Sequence, residues 1–267
     1  MNVLKLAGTV PALALVGVLG LSANADASTI TSQTFDTNPP VSATQEAGKW
    51  YTDRFAPAGF ESEVFMGDGR LAHTISEDDG ATGRPSSFSS GFYNTQGRKF
   101  DTPGATKLSI DMFIAPEFED AAGRIGGLWG TGVDETDDIV SFPIIEFFDN
   151  AFQVFDGAAF QSVGTPTGFA FGEFANLAIE IVMGGAEINF SVNDELLLTA
   201  FNGSGTKTFA NAILQNINTT DGVNRTIYFD NFEATAVAPV PLPAAGWLLL
   251  SAMGGLGFAA RRRRKAA

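Results

Sequence analysis

The sequence predicts an all-β protein whose main domain is an antiparallel β-sandwich. Apolar and polar residues alternate in many segments, as in residues 107–115, where Leu108, Ile110, Met112 and Ile114 are separated by more polar residues. Predicted strands recur about every 10 to 15 residues through much of the chain and are separated by turn-forming residues. No segment has the pattern of a long amphipathic helix. Two sheets packed face to face would bury one face of each strand and leave the acidic residues outside.

The chain divides into three predicted parts. Its 267 residues suffice for one domain of about 200 residues between two terminal segments. We expect a signal peptide at 1–25, the sandwich at 26–237 and a C-terminal sorting segment at 238–267. The chain contains no cysteine, so disulfides and Cys-ligated metals are excluded and the domain must be stabilised by its core.

The net charge is unevenly distributed. The whole chain carries −14, but six of its 16 Lys and Arg residues, Lys5 and the five at 261–265, belong to the two ends. The other ten stand against all 30 Asp and Glu residues, which leaves a net charge of −20 for the rest of the chain. Such a charge repels phosphate backbones and anionic lipid, so it argues against nucleic-acid binding.

The N-terminus has the order of a secretory signal peptide. Lys5 precedes an apolar run at 6–23, and Ala23 and Ala25 form a small-x-small cleavage motif. We expect signal peptidase to cut after Ala25, with Ala27 as the second choice. The alternative is an N-terminal membrane anchor that stays attached.

The C-terminus reads as a membrane helix with a stop-transfer cluster. Residues 244–260 form a charge-free run of 17 residues, which is the lower limit for a spanning helix. A cluster of cations follows this run and is expected to stay on the cytoplasmic side of the inner membrane. It consists of Arg261, Arg262, Arg263, Arg264 and Lys265.

A proline motif precedes the apolar run and consists of Val240, Pro241, Leu242, Pro243 and Ala244. Motif, run and Arg-rich terminus together resemble the VPLPA variant of the PEP-CTERM sorting signals of Gram-negative bacteria that make extracellular polysaccharide. The resemblance implies processing by an exosortase, a membrane peptidase that cuts at or near the motif, and release to the cell surface or outside. Each proline fixes φ and lacks an N–H, so the motif stays extended. A simple permanent anchor is the alternative.

Further strands are predicted in residues 141–149 and 151–157, which form a hairpin around Asn150, in residues 177–201 and in residues 226–238. Residues 177–201 read as three strands, separated by Gly184-Gly185 and by a turn at Asn193-Asp194.

The segments 174–201 and 225–234 are similar to concanavalin A-like lectin/glucanase jelly rolls. In those proteins a hairpin near the end of the domain has a turn that contains Asn, and the last strand carries Asp-Asn, here Asp230-Asn231. The resemblance implies a jelly-roll topology. It also raises glycoside hydrolysis as an alternative function.

Carboxylates in the sequence do not form the pair that a jelly-roll glycosidase needs. The resemblance implies a Glu-x-Asp-x-x-Glu pattern, and the nearest segment offers Glu146 and Asp149, which are three residues apart and point to opposite faces of a regular strand. Glu117 and Glu119 alternate correctly, but turn residues surround them. We interpret them as a solvated acidic loop.

Other candidate sites are weaker. His73 is the one histidine of the chain, and without a nucleophile motif nearby it is expected to be a strand histidine with its hydrogen bonds satisfied. The acidic clusters Glu77-Asp78-Asp79 and Asp134-Glu135-Asp137-Asp138 do not follow a calcium-loop pattern, so we expect solvated turns and assign no metal site. Calcium stays open as a ligand of the domain as a whole.

Aromatic residues offer another route to carbohydrate, because a ring can pack against the apolar face of a sugar. The candidates are Trp50, Tyr51, Tyr93 and Trp129. The sequence therefore predicts an exported, non-catalytic surface or matrix protein without catalytic residues, whose partner is extracellular polysaccharide. A divergent glycoside hydrolase of the concanavalin A-like fold is the alternative.

Overall fold

The computed structural model describes residues 27–76, 95–121, 123–217 and 224–237. The predicted signal peptide, sorting motif, apolar run and stop-transfer cluster all lie outside these ranges. Within them, no helix has the length and apolar character needed to cross a membrane.

Strands dominate the described residues and form two sheets. The first is an eight-stranded sheet that contains β1 (Ala27–Gln33), β4 (Gly59–Phe65), β5 (Asp68–Ile75), β7 (Lys107–Ile114), β13 (Glu173–Val182), β14 (Glu187–Val192), β15 (Glu195–Phe201) and β17 (Arg225–Val237). Its order is β15-β14-β13-β7-β17-β5-β4, and β1 pairs with the second half of β17.

The second is a nine-stranded sheet that contains β2 (Val41–Ser42), β3 (Trp50–Thr52), β6 (Thr95–Ala105), β8 (Arg124–Val133), β9 (Ile139–Ser141), β10 (Ile144–Phe148), β11 (Ala151–Phe155), β12 (Phe160–Gly164) and β16 (Thr208–Ile217). Its order is β12-β11-β10-β8-β16-β6-β3-β2, with β9 paired to β8. All these ladders are antiparallel except the short pair β2–β3.

The antiparallel sandwich predicted from the sequence is confirmed, and so are its best-defined strands. Strand β7 buries Leu108, Ile110, Met112 and Ile114 completely, as the alternation indicates. The hairpins β10–β11 and β14–β15 turn at two residues with positive φ in each case, Asp149-Asn150 and Asn193-Asp194. Asn and Asp tolerate this conformation, which matches the twist of the adjoining strands.

The core lies between the sheets and is rich in aromatic rings. Trp50 is fully buried and contacts the rings of Phe35, Phe60, Phe100 and Phe232 at centroid distances of 5.2 to 6.3 Å. Burying such rings contributes much of the stability of a domain without disulfides. Trp50, one of the predicted carbohydrate contacts, is therefore a core residue.

Candidate functional site

A second apolar cluster lies on the other face of the nine-stranded sheet. Leu128 and Ile145 belong to the main core, whereas their chain neighbours Trp129 and Ile144 pack with Ile213 in a separate cluster. Successive side chains of a strand point to opposite faces, so this cluster marks the outer face of the nine-stranded sheet.

The strand register aligns two rows of residues on this outer face. The aromatic row runs across the strands and consists of Phe160, Phe155, Ile144, Trp129, Ile213, Lys99 and Tyr51. The polar row runs beside it and consists of Gln153, Glu146, Gly127, Gln215 and Gly97. Apolar side chains flanked by hydrogen-bonding groups suit a sugar, whose ring has apolar faces and polar edges. Trp129 and Tyr51, both predicted carbohydrate contacts, are only 1% and 4% exposed, so a sugar would reach them only if the covering side chains moved aside.

Glycine is required within the polar row because atoms of the neighbouring strands lie too close to leave room for a side chain. A Cβ atom on Gly127 would lie 2.2 Å from the Ile145 carbonyl oxygen and 2.5 Å from the Cβ of Glu146. A Cβ atom on Gly97 would lie 2.3 Å from the Cγ of Gln215. The Glu146 and Gln215 side chains therefore occupy the space beside these glycines.

Glu146 is the central carboxylate of the polar row. It is 0% exposed, its Oε1 accepts hydrogen bonds from Arg124 Nε at 2.6 Å and from Gln153 Nε2, and its Oε2 has no hydrogen-bond partner in the described part of the chain. Burial raises the pKa of Glu146, although the charge of Arg124 and hydrogen bonds from Gln153, Arg124 and Trp129 oppose the shift. A carboxyl with a raised pKa is suited to donating a proton.

Arg124 covers Glu146 on the outer face. Its guanidinium lies 5.8 Å from the Trp129 ring centre and 5.0 Å from that of Phe160. Both partners of the Arg124–Glu146 ion pair are largely removed from solvent, with side-chain exposures of 8% and 0%. In this arrangement the carboxylate is closed off beneath a cation and two aromatic rings.

Asp53 is a second carboxylate on the outer face, at the end of strand β3. It forms ion pairs with Arg54 at 2.6 Å and with Lys99 at 3.3 Å, and it accepts a hydrogen bond from Gln215 Nε2. Arg54 also donates to Gln215 Oε1 at 3.0 Å and lies 5.9 Å from the Trp129 ring centre. Asp53 therefore reaches the polar row through the side chain of Gln215.

Asp101 is a third carboxylate, near the Tyr51 end of the aromatic row. It accepts hydrogen bonds from Tyr51 Oη at 2.6 Å, from Asn211 Nδ2 at 2.6 Å and from Gln45 Nε2 at 2.9 and 3.1 Å. Burial is the main reason that the pKa of Tyr51 is raised, and the hydrogen bond to Asp101 adds to it. The phenol is therefore held as a hydrogen-bond donor.

The carboxylates considered in the sequence do not form a catalytic pair on one strand. Asp149 lies in the β10–β11 turn, where it accepts a hydrogen bond from the Gly123 backbone N–H, and the positions that would complete the Glu-x-Asp-x-x-Glu pattern after Glu146 carry Phe148 and Ala151. Glu117 and Glu119 are exposed at a short 3-10 helix, Pro116–Phe118.

His73 lies on strand β5 and is fully buried, as expected for a strand histidine. It is not satisfied, however, because neither ring nitrogen has a hydrogen-bond partner among the residues with described positions. Its ring packs against Phe60 and Phe229, at centroid distances of 5.6 and 6.0 Å. His73 is thus part of the apolar interior and is remote from any nucleophile pattern.

The acidic loop after strand β8 is held by its own hydrogen bonds. Asp134 accepts bonds from the backbone N–H groups of Thr136 and Asp138 and from the Thr136 hydroxyl, and the bonds from Thr136 are the main reason that its pKa is lowered. Over the ranges the structure covers, no group of three or more acidic or histidine side chains is arranged to hold a metal ion. Glu77-Asp78-Asp79 and Tyr93 lie outside those ranges.

Solved structures share the fold of this domain. SCLam, an endo-β-1,3(4)-glucanase of family GH16, matches with a TM-score of 0.52 at 12% identity, over 82% of this chain and 97% of that chain. The catalytic domain of an endo-1,3-β-glucanase (laminarinase) from Thermotoga petrophila RKU-1 gives 0.51 at 12% identity, over 80% and 99%. An endo-β-galactosidase from Clostridium perfringens that releases GlcNAcα1-4Gal gives 0.51 at 12% identity, over 81% of this chain and 63% of that chain, which is less than two thirds of its length.

At these identities the similarity establishes the fold, and the predicted likeness to concanavalin A-like glucanase jelly rolls is confirmed at that level. No protein-family model matches the chain. No curated protein matches it in sequence either.

The comparisons contradict the prediction of a non-catalytic binding or structural protein, because the structures that share the fold are glycan-cleaving enzymes. The physical reason for the error lies in the register, because the polar partners of Glu146, Arg124 of β8 and Gln153 of β11, come from neighbouring strands and not from its own. The available signal was a single acidic residue, Glu146, inside the otherwise apolar strand β10.

Proposed function

We propose that this domain hydrolyses an extracellular polysaccharide on the outer face of the nine-stranded sheet, with Glu146 as the proton donor. The observation that carries the proposal is the buried Glu146 carboxyl, whose pKa is raised by burial and which Arg124 and Gln153 hold in place on the outer face. A glycosidic oxygen leaves readily only when it is protonated, and a carboxyl of this kind supplies the proton. The shared fold with glucanases and an endo-β-galactosidase supports glycans as substrates.

Asp53 is the proposed second carboxylate and acts as the general base. Its carboxylate is hydrogen-bonded to the amide of Gln215, which lies two strands from Glu146 in the polar row. Retaining glycosidases place their carboxyl groups about 5 to 5.5 Å apart, and inverting ones about 6.5 to 9.5 Å apart. Because Asp53 reaches the polar row through the Gln215 side chain, we assign it the activation of a water, which leads to inversion at the anomeric carbon.

Arg124 must move for this reaction. Its guanidinium lies between Glu146, Trp129 and Phe160, so a sugar can reach the carboxyl only after the arginine side chain swings outward. Phe155 and Phe160, which pack beside Trp129 and Ile144, then provide an apolar surface for the incoming ring. The loss of the Arg124 charge beside Glu146 removes one influence that lowers its pKa and favours the protonated acid.

Incubation of the purified full-length protein with β-linked glucans, galactans and glucosamine polymers tests the proposal. We expect new reducing ends from at least one polymer, and the first product seen by proton NMR should have the α-configuration at the anomeric carbon. Products of retained configuration would contradict the role of Asp53. No new reducing ends from any polymer of the panel would contradict hydrolysis itself.

We further propose that the protein is exported through its signal peptide and processed by an exosortase at residues 240–244, with the domain on the periplasmic side of the inner membrane before cleavage. The sequence resemblance of the C-terminal segment supports this step. In the native host, mass spectrometry of the surface or extracellular protein should find a C-terminus at or near the proline motif. Replacing Pro241 and Pro243 with alanine should leave the protein in the membrane fraction, and recovery of residues 261–265 in the wild-type surface protein would instead indicate a permanent anchor.

A further inference from the structure

A cavity of about 480 Å³ lies at the Tyr51 end of the aromatic row. Its polar lining includes Gln45, Tyr51, Lys99, Asp101, Asp137 and Asn211. We call it the Asp101 pocket. Its volume is in the range of small-ligand sites, and its position extends the aromatic row away from Glu146.

Asp101 differs from the other two carboxylates of the outer face in its partners. Glu146 and Asp53 each form an ion pair with an arginine. Asp101 receives hydrogen bonds only from a phenol and two amides, and the structure as described gives it no ion pair with a basic residue. Its negative charge is therefore uncompensated although the side chain is half-buried.

Lys99 also lines the pocket, but its ammonium pairs at 3.3 Å with Asp53, so it shares its charge with a carboxylate outside the lining. Asp137 adds a second carboxylate on an exposed turn at the rim of the same cavity. The pocket thus attracts cations and repels anions. A sugar that carries a carboxylate or a sulfate group would therefore bind poorly in the Asp101 pocket.

The donors around Asp101 favour an organic cation over a metal ion. Both Asp101 oxygens face N–H or O–H donors of Gln45, Tyr51 and Asn211, whereas calcium requires several oxygen atoms that turn their lone pairs inward. An ammonium group can share a carboxylate with such donors, since it forms directional hydrogen bonds of its own.

We propose that the Asp101 pocket binds the ammonium group of an amino-sugar residue. This inference rests on the proposed function, because it takes the glycan that crosses the aromatic row to continue into the pocket. It narrows the substrate class to polysaccharides that carry free, non-acetylated amino groups. Asp101 provides the charged acceptor, and Asp137 strengthens the local negative potential at the entrance.

Calorimetric titration of the full-length Glu146→Gln protein tests the inference. This variant is used because it should not cleave the added oligosaccharide during the measurement. The probes are hexamers of β-1,4-linked glucosamine and of N-acetylglucosamine at pH 6, where the amines of the first are largely protonated. We expect the glucosamine hexamer to bind at least about tenfold tighter, the difference that one charge-assisted hydrogen bond provides. The preference should shrink as salt rises, because exposed charges are screened.

Two pocket variants and one matched control locate the effect. Asp101→Asn and the exposed Asp137→Asn should each reduce the preference for glucosamine, and Glu119→Gln, the same change of charge on an exposed residue of the 3-10 helix region, should preserve it. Equal affinity for both hexamers would overturn the inference, as would a preference that survives in both pocket variants. Displacement of the glucosamine hexamer by millimolar calcium would overturn it in favour of a metal site.

The binding measurement needs no turnover, so the two proposals can fail separately. Cleavage of neutral glycans by the wild-type protein, together with equal binding of the two hexamers, would reject only the amino-sugar assignment. A glucosamine preference that depends on Asp101, in a protein that cleaves no glycan, would reject hydrolysis and leave the pocket assigned.

Discussion

Replacement of Glu146 with glutamine is expected to lower the rate of polysaccharide hydrolysis by about two to four orders of magnitude, the usual contribution of a general acid. Glutamine keeps the shape of the side chain and can still accept the bond from Arg124 and pair with Gln153. It cannot donate a proton to a leaving oxygen. The rate of release of reducing ends, measured for both proteins at equal concentration, checks this expectation.

The leaving group provides a sharper readout than the rate alone. An activated nitrophenyl glycoside leaves without protonation, so the Glu146→Gln variant should retain far more of its activity on that substrate than on the polymer. The wild-type rate should fall as pH rises through the pKa of Glu146, which burial places above that of an ordinary glutamate. Asp149→Asn, the same chemical change in the adjacent turn, serves as the control, and equal losses in both variants would argue against a specific role of Glu146.

Replacement of His73 with leucine is expected to stabilise the domain, and to do so increasingly as the pH falls. Burial and the charge of Arg98 lower the pKa of His73 to about 3. The unfolded chain binds a proton at this histidine below about pH 6.5, whereas folded His73 stays neutral until about pH 3. Above pH 6.5 the protonation of His73 therefore does not lower the free energy of unfolding. Between pH 6.5 and 3 it lowers that free energy progressively, by roughly 1 kcal/mol for each pH unit.

The variant removes this loss along with two buried nitrogen atoms that lack partners among the described residues. At neutral pH we expect a gain of about 1 to 3 kcal/mol, the usual cost of a buried unsatisfied polar group, and an additional gain of about 1 to 2 kcal/mol at pH 5. Urea unfolding of both proteins at the two pH values measures the difference, in which the shared effects of other acidic groups cancel. A stability difference that does not change with pH would contradict the assigned protonation of His73.

The fold could be predicted in large part from local patterns. Strand β7 is an uninterrupted alternation, and the hairpins at Asp149-Asn150 and Asn193-Asp194 carry residues that tolerate positive φ. These signals depend only on neighbouring residues, so the sequence contains them in readable form. The placement of Trp50 in the core could not be read in the same way, since its aromatic neighbours Phe35, Phe60, Phe100 and Phe232 come from segments spread over the domain.

The candidate site depends on register, which a single sequence does not reveal. The sequence offers Asp149 as the neighbouring carboxylate of Glu146, but the contacts of Glu146 with Arg124 and Gln153 exist because β10 pairs with β8 on one side and β11 on the other. Asp53 lies 93 residues earlier in the chain and reaches the polar row across strands β6 and β16. No spacing rule along the chain connects these residues, so their assembly becomes visible only in the folded sheet.

The position of β17 has a consequence for how this domain is made. Although it is the last strand along the described chain, it lies inside the eight-stranded sheet, paired with β7 on one side and with β5 and β1 on the other. The strands on the two sides of β17 cannot join into one sheet until residue 237 has been synthesised. Until then we expect the earlier strands to form an incomplete sheet that is sensitive to proteases. A chain truncated before Arg225 lacks β17 and cannot complete this sheet, so we expect it to be degraded instead of forming a smaller folded domain.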